Sequence, residues 1–452
     1  MMPDRQVPGI TTVSNDTDAT ATGGLQEHAQ RRHIAAELHA RPFESLGGPL
    51  RGTHLAMLSD NGNADLACVT ALCEALEQTP PDPDSTHHSV DLGAFRLRWE
   101  RHTEFSTYTF FASGVPDDPT TPFANPALEA VPDEWLRTVP GELIVAVHLT
   151  FEGPESPDRP VHELAEIFHT ENVAGSEVAD GAARVYTDFR LHGDGYGRIL
   201  IQDRGLAPRR AGRLIQRLLE IETYRLMALL GFPLARQTTS LLTSLEQELE
   251  AITRRITRSS SLDNEQSLLQ EISALSADLE QTTARNSFRL SASRAYDGLV
   301  QRRIENLREV RIRELQTIGE FMVRRFRPAM RTCESVAERQ EGLARRISRA
   351  ADLLRTRVDI ALEGQNRDLL ASMNRRTDLQ LRLQQTVEGL SVLVMSYYGS
   401  GLIYYMLHGV HSAGVEFNVD LAVGAAVPLV VISAFLGIRY LRRKVLGPEG
   451  EH

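Results

Sequence analysis

The chain has 452 residues, room for two or three domains that each bury a core, and a formal net charge of −11. That charge is uneven: residues 1–240 carry 20 Arg against 34 Asp and Glu, whereas residues 241–390 carry 25 Arg against 22 acids. An acidic front half, followed by arginines interleaved with acids, presents no basic face and argues against nucleic acid as a partner.

Residues 1–28 open with MMPDRQVPGITTVSNDTDATATGG, which lacks the basic start and continuous apolar core of a secretory signal and predicts a disordered leader. Cys68, Cys73 and Cys333 form no CxxC or Cys/His grouping, so neither a disulfide framework nor a structural zinc site is expected, and a reducing compartment fits.

From 29 to 235, short β-rich runs alternate with helical ones. Strands are predicted at 53–60, 90–102, 105–113, 143–151, 183–191 and 197–203. Helices are predicted at NADLACVTALCEALEQ, ALEAVPDEWLRTV and RPVHELAEIFH. Hairpin patterns around Thr103 and around GDGYG (193–197) favour an α+β cytoplasmic domain over a doubly wound parallel sheet. The segment 209–230 is apolar on much of its circumference and is expected to stop at GFP, 231–233.

Between 236 and 385 the strand signal disappears. Leu242, Leu245, Leu249, Ile252 and Ile256, then Leu268, Ile272, Leu275 and Leu279, recur three and four apart, the spacing of a helical coiled-coil stalk whose arms turn at SSSLDNE (259–265). Pro328 predicts a break, and a helix running on to Leu407 reaches about 120 Å at the usual rise.

Two transmembrane helices are expected, at 386–407 and 421–441. Val387 to Leu407 holds a single charge and Leu421 to Ile438 none, and a bilayer core needs roughly 20 residues. The connector 408–420 has acids but no Arg or Lys, while Arg375, Arg376 and Arg382 precede the first span and Arg439, Arg442, Arg443 and Lys444 follow the second. The positive-inside rule therefore predicts a periplasmic connector, cytoplasmic termini and a cytoplasmic tail at 442–452. Small residues Gly389, Ser396 and Ser400 on the first span, and Ala426, Ser433 and Gly437 on the second, mark stripes suited to close helix packing. Tyr397 and Tyr398 near mid-span need hydroxyl partners, which predicts a helix interface. Glu388 at the cytoplasmic edge is either solvated by headgroup water or, in an oligomer, one of a ring of carboxylates on a cation path.

Two loose metal-ligand patterns occur. His162, Glu166 and His169 fall at i, i+4 and i+7 of a predicted helix, and His33, Glu37 and His39 form a second cluster with His54. Neither is HExxH or a paired di-iron set, and a solvated face or structural hydrogen bonding accounts for both. No GxSxG, Walker A or paired-carboxylate signature appears, so no catalytic residue and no cofactor is predicted.

The blocks ELHARPFESLGGPLRGTHLAML (37–58), GRLIQRLLEIETYRLMALLGFPLAR (212–236), PAMRTCESVAERQEGLARRISRAADLLRTRVDIALEGQNRDLLASMNRR (328–376) and LQLRLQQTVEGLSVLVMSYYG (379–399) resemble the bacterial domain-of-unknown-function family 3422, described as predicted membrane-anchored proteins. The resemblance runs from about residue 30 to 445 and implies an inner-membrane protein of proteobacterial type, without supplying catalytic residues. The layout is also similar to that of CorA-type magnesium channels, whose first span ends in Tyr-Gly-Met-Asn. Here Tyr398 and Gly399 match, but Ser400 and Gly401 replace Met and Asn and apolar residues continue beyond them. The expectation is a homo-oligomeric scaffold, sensor or regulator held in the lipid bilayer; the alternative is a CorA-like divalent-cation channel or transporter, in which Glu388, Tyr398, Gly399 and Gly401 lie near the axis and a divalent cation is the transported species.

Overall fold

The computed structural model describes residues 28, 30–31, 43–59, 62–258, 261–414 and 418–445. The leader other than His28, the His33, Glu37 and His39 cluster, and the last seven residues lie outside the described residues. The chain forms two compact units, one of residues 1–250 and 274–347, the other of 251–273 and 348–452.

The first unit is built on a sheet. Among the described residues its strands are β1 (Leu50–Leu58), β2 (His87–Asp91), β3 (Arg96–Arg101), β4 (Phe105–Ser113), β5 (Glu142–Glu152), β6 (Ala174–Val178), β7 (Ala183–Thr187), β8 (Gly197–Asp203) and β9 (Val310–Arg311). They lie in the order β2-β3-β4-β1-β5-β8-β7-β6-β9. Every pairing is antiparallel except β5 with β8. Both predicted hairpins are present: β3 returns as β4 around Thr103, and β7 returns as β8 through GDGYG.

Three expectations change. The run 90–102 is two strands, because the chain reverses at Leu92–Phe95, where Gly93 takes φ 83° and Leu92 N–H donates to Phe95 O. ALEAVPDEWLRTV is a 3-10 turn at Ala127–Ala130 followed by the short helix Asp133–Leu136. Pro132 lacks an N–H and holds Val131 extended, at φ −91° and ψ 135°. Strand β6 was missed because AGSEV has one β-branched residue and no aromatic one; its place between β7 and β9 makes it a strand.

The first helix, α1 (Gly62–Ala75), and the Asp133–Leu136 helix, α2, cover one sheet face. Beneath them Leu72, Leu97, Trp99, Tyr108 and Phe110 form a core whose members are 0–1 % exposed. Each fully buried Leu or Phe there contributes roughly 2 kcal/mol. Asp65 of α1 enters this core only because it accepts hydrogen bonds from Ser106 Oγ (2.8 Å) and Tyr108 Oη (3.1 Å). Helix α3 (Val161–Ile167) seals a second cluster, Leu164, Phe168, Tyr186 and Leu200.

Helix α4 (Pro208–Leu229) packs against β5, burying Leu214, Ile215, Leu218 and Ile221. It does not give way to a loop at GFP. Helix α5 (Gly231–Arg258) begins at once, with Pro233 in its first turn, where a missing N–H costs no hydrogen bond. Helix α6 (Leu262–Glu305) returns antiparallel. The apolar positions forecast on both arms, Leu242 through Ile256 and Leu268 through Leu279, are all buried. Asn286 Nδ2 donates to Thr238 Oγ1 (2.8 Å), a buried polar tie between the two arms.

A short helix, α7 (Ile318–Arg325), starts with a capping box between Thr317 and Glu320 and ends just before Pro328, as forecast. Helix α8 (Arg327–Ser412) then runs 86 residues. In the first unit it buries Met330, Cys333, Val336, Leu343 and Ile347, and its Arg339 pairs with Glu246 of α5 (2.8 Å).

In the second unit α8 buries Leu354 and Val358, and Arg357 donates to Ile256 O (2.7 Å). Every residue from Leu362 to Val387 is exposed. The last helix, α9, is Val419–Val445 and carries Pro428 inside it. Helices α8 and α9 each contain a window long and apolar enough to cross a membrane, with mean hydropathy 1.3 and 2.4 and no part of either window buried.

Candidate functional site

Sheet register builds one polar surface. Across β1, β4 and β3, His54 lies opposite Thr109, Arg98 opposite Thr109 and Glu100 opposite Thr107. With a two-residue side-chain period, all of them point to the face away from the Trp99 core. Helix α4 roofs this face with Gln216, Glu220, Thr223 and Tyr224, and a cavity of about 260 Å³ is left between roof and floor. Arg303 of α6 closes one side by pairing with Glu220.

The floor is preorganised. His54 is 5 % exposed, with Nδ1 2.8 Å from Thr109 Oγ1 and Nε2 3.0 Å from Thr223 Oγ1. The Thr223 hydroxyl donates its proton to Leu219 O (2.9 Å), so it accepts from His54, which is therefore the neutral tautomer with hydrogen on Nε2. Burial lowers the His54 pKa to about 4; Glu100 opposes that shift, and His102 and Arg98 add to it. Both imidazole nitrogens are engaged, so no lone pair is left for proton abstraction. Arg98, 8 % exposed, is held by Glu100 at 2.8 Å. The site thus offers fixed donors, acceptors and hydroxyls around a small void.

Of the histidines considered from sequence that lie among the described residues, His54 alone lines this cavity. His162 and Glu166 lie exposed on α3, but that helix stops at Ile167, and His169 follows in a left-handed conformation at φ 50°. The helical alignment of the three is therefore broken. Among the described residues no three His, Cys, Asp or Glu side chains gather as a metal site. Arg98, Glu100, Thr107, Thr109 and Thr223 were missed. The one local signal was RLRWER at 96–101, where charged and apolar residues alternate in a strand whose Leu97, Arg98 and Trp99 are buried.

The membrane candidates separate by face. Ser396, Gly399, Ser400 and Gly401 are partly covered, and a Cβ on Gly399 would stand 2.8 Å from Val430 Cγ1. Glu388 is also partly covered. On α9 the partly covered line is Ala422, Ala426, Val430, Ala434 and Ile438, four residues apart, so Ala426 lies on it while Ser433 and Gly437 are exposed, as is Gly389 on α8. Tyr397 and Tyr398, expected at a helix interface, are 74 % and 69 % exposed, their rings in a T-shaped pair 5.7 Å apart. Of the two small-residue stripes, Ser396, Ser400 and Ala426 are thus on the covered side, and Gly389, Ser433 and Gly437 are not.

A mixed-sheet domain with a partly open polar cavity, followed by long helices and two apolar ones, defines a chain with a small void and two helices able to cross a membrane. The chain belongs to the DUF3422 family, proteins of unknown function, whose family model matches residues 26–445. No curated protein and no solved structure matches it.

Proposed function

We propose that this protein is an oligomeric sensor or scaffold of the bacterial inner membrane, anchored by the end of α8 and by α9, with its sheet domain in the cytoplasm and its polar cavity receiving a small ligand. The observation that carries the reading is the exposure of Leu390, Leu393, Met395, Leu402 and Met406 on α8 and of Leu421, Leu429, Ile432, Phe435 and Leu436 on α9. Hydrocarbon solvates such surfaces, whereas water penalises them by roughly 25 cal/mol per Å². Basic residues flanking both spans, and their absence from the connector, support cytoplasmic termini. The heptad-like stripes of α5 and α6 support a stalk-like coiled-coil role for the region.

Carbonate extraction of membranes, combined with cysteine labelling, tests this. With the three native cysteines replaced by Ser, Ser412→Cys should react with an impermeant maleimide in intact spheroplasts, and Glu449→Cys only after lysis. Release of the protein by carbonate, or the inverse labelling pattern, overturns the proposal. Under the same reading, proteoliposomes carrying the protein stay impermeable to divalent cations; a magnesium flux that Glu388→Gln abolishes would establish the CorA-like alternative instead.

A further inference from the structure

A second cavity, of about 300 Å³, lies in the first unit where the β6–β7 turn, α4 and the end of α6 meet. We propose that it binds a phosphoryl group through Arg210, Arg213, Arg217 and Arg308. The three helical arginines stand at i, i+3 and i+7, one face of α4, and Arg308 comes from the segment after α6.

Four guanidiniums line the cavity against one carboxylate, Asp180, a formal excess of three positive charges. Asp180 is shared by Arg210 (3.2 Å) and Arg308 (3.1 Å). Arg217 donates to Asn306 O (3.1 Å), and Arg213 lies over the Phe43 ring at 4.8 Å. Among the described residues, neither Arg213 nor Arg217 has a carboxylate partner. Glu220 is the next nearest acid, and Arg303 engages it. Burial, and then the guanidiniums of Arg213, Arg303 and Arg308, hold the Arg217 group below the usual arginine range, while Glu220 works the other way. Arg210, Arg213 and Arg308 are exposed and Arg217 is partly covered, so the group is open to solvent and an incoming dianion can neutralise its excess charge.

The frame is fixed by backbone. Ala179, Asp180 and Arg308 all take left-handed conformations, at φ 56°, 64° and 52°, and Ala179 N–H donates to Leu307 O (3.1 Å). Arg210 Nη2 also donates to Ala179 O (3.2 Å). Among the described residues, Ala179 and Leu214 are the only apolar ones in the lining, so the cavity suits an anion rather than an apolar ligand. Planar guanidinium forks match phosphate oxygens in pairs, which makes a phosphoryl group the best-fitting anion. Its source is either a free phosphorylated compound or a lipid headgroup.

Full-length protein in phosphatidylcholine nanodiscs, titrated with inorganic pyrophosphate at low ionic strength, should bind one equivalent saturably. Binding should weaken roughly tenfold or more in Arg213→Gln/Arg217→Gln and by a smaller factor in Arg213→Lys/Arg217→Lys, which keeps the charge and loses the planar fork. In nanodiscs containing phosphatidylglycerol and no pyrophosphate, slowed hydrogen exchange at 179–181 and 306–308 that the Gln pair abolishes would assign the source to the headgroup. Absence of both effects, or pyrophosphate binding unchanged in the Gln pair, overturns the proposal. Neither Arg213 nor Arg217 lines the polar cavity roofed by α4.

Discussion

Gly212 of α4 faces the main chain of Glu44 so closely that a Cβ there would stand 1.7 Å from the Glu44 carbonyl oxygen. Glu44 cannot yield easily. Its carboxylate is held by Arg96 (3.1 Å) and by the Ser89 hydroxyl, and two residues on, Leu46 N–H donates to Pro208 O (3.1 Å). This contact sets the height of the helical roof above the polar cavity.

Gly212→Ala should therefore destabilise the domain, by roughly 2–4 kcal/mol, although Ala is the better helix former by about 1 kcal/mol. Gly298→Ala on α6, where a Cβ meets nothing within 4 Å, isolates the propensity term and should stabilise. Chemical denaturation of both variants reads the opposite signs; equal shifts would remove the steric account.

Acid should weaken the fold in a defined window. His148, bonded to Thr53 Oγ1 (3.0 Å) and stacked on Tyr196 with ring centroids 4.0 Å apart, has its pKa lowered to about 4, as does His54, in both cases chiefly by burial. The unfolded chain takes up protons at the ordinary 6.5, the folded one only near 4, so the stability from both neutral rings is complete above 6.5 and is lost as pH falls toward 4. The loss is on the order of 3 kcal/mol for each histidine. Unfolding free energies measured across this range should fall steeply in the wild type and less steeply in His148→Gln; parallel curves would show that His148 is not a source of the slope.

Arg159 and Glu152 form a buried pair whose side chains are 4 % and 6 % exposed, with Gln202 Nε2 also donating to Glu152 (2.9 Å). Arg159→Met strands the carboxylate and should cost about 3–5 kcal/mol. Arg159→Met/Glu152→Leu removes both charges and should recover a large part of that loss. A double-mutant cycle with no coupling would show the pair to be energetically inert.

Between the two apolar helices, Gly399→Leu puts a side chain where Val430 Cγ1 already lies and should lower the thermal midpoint in detergent. Gly389→Leu and Ser433→Leu sit on exposed faces and should leave it in place. The reverse order would show that Gly389 and Ser433, and not Gly399, lie in the packed contact.

Local chemistry was enough for much of this protein. Apolar length marked the two helices able to cross a membrane, three-and-four spacing marked the core of α5 and α6, and the turn residues marked both hairpins, because each depends on neighbours a few residues away. Strand β4 and strand β8 fell where the sequence placed them, at 105–113 and 197–203. Where neighbours decide differently, the reading slipped: Gly93 turned one forecast strand into two, and His169 left the helix that was to align it with His162.

The polar cavity was out of reach of such reasoning. His54, Arg98, Thr109 and Thr223 are up to 169 residues apart in the chain and meet only through sheet register and the placement of α4. The arginine cavity has the same origin, since the i, i+3, i+7 run on α4 becomes a pocket only when Asp180 and Arg308 arrive from elsewhere. Sequence by itself settled which segments prefer helix, strand or hydrocarbon, for those preferences are properties of the segment. Tertiary structure decided which polar groups face one another, because a hydrogen bond or an ion pair needs a partner that only the folded chain supplies.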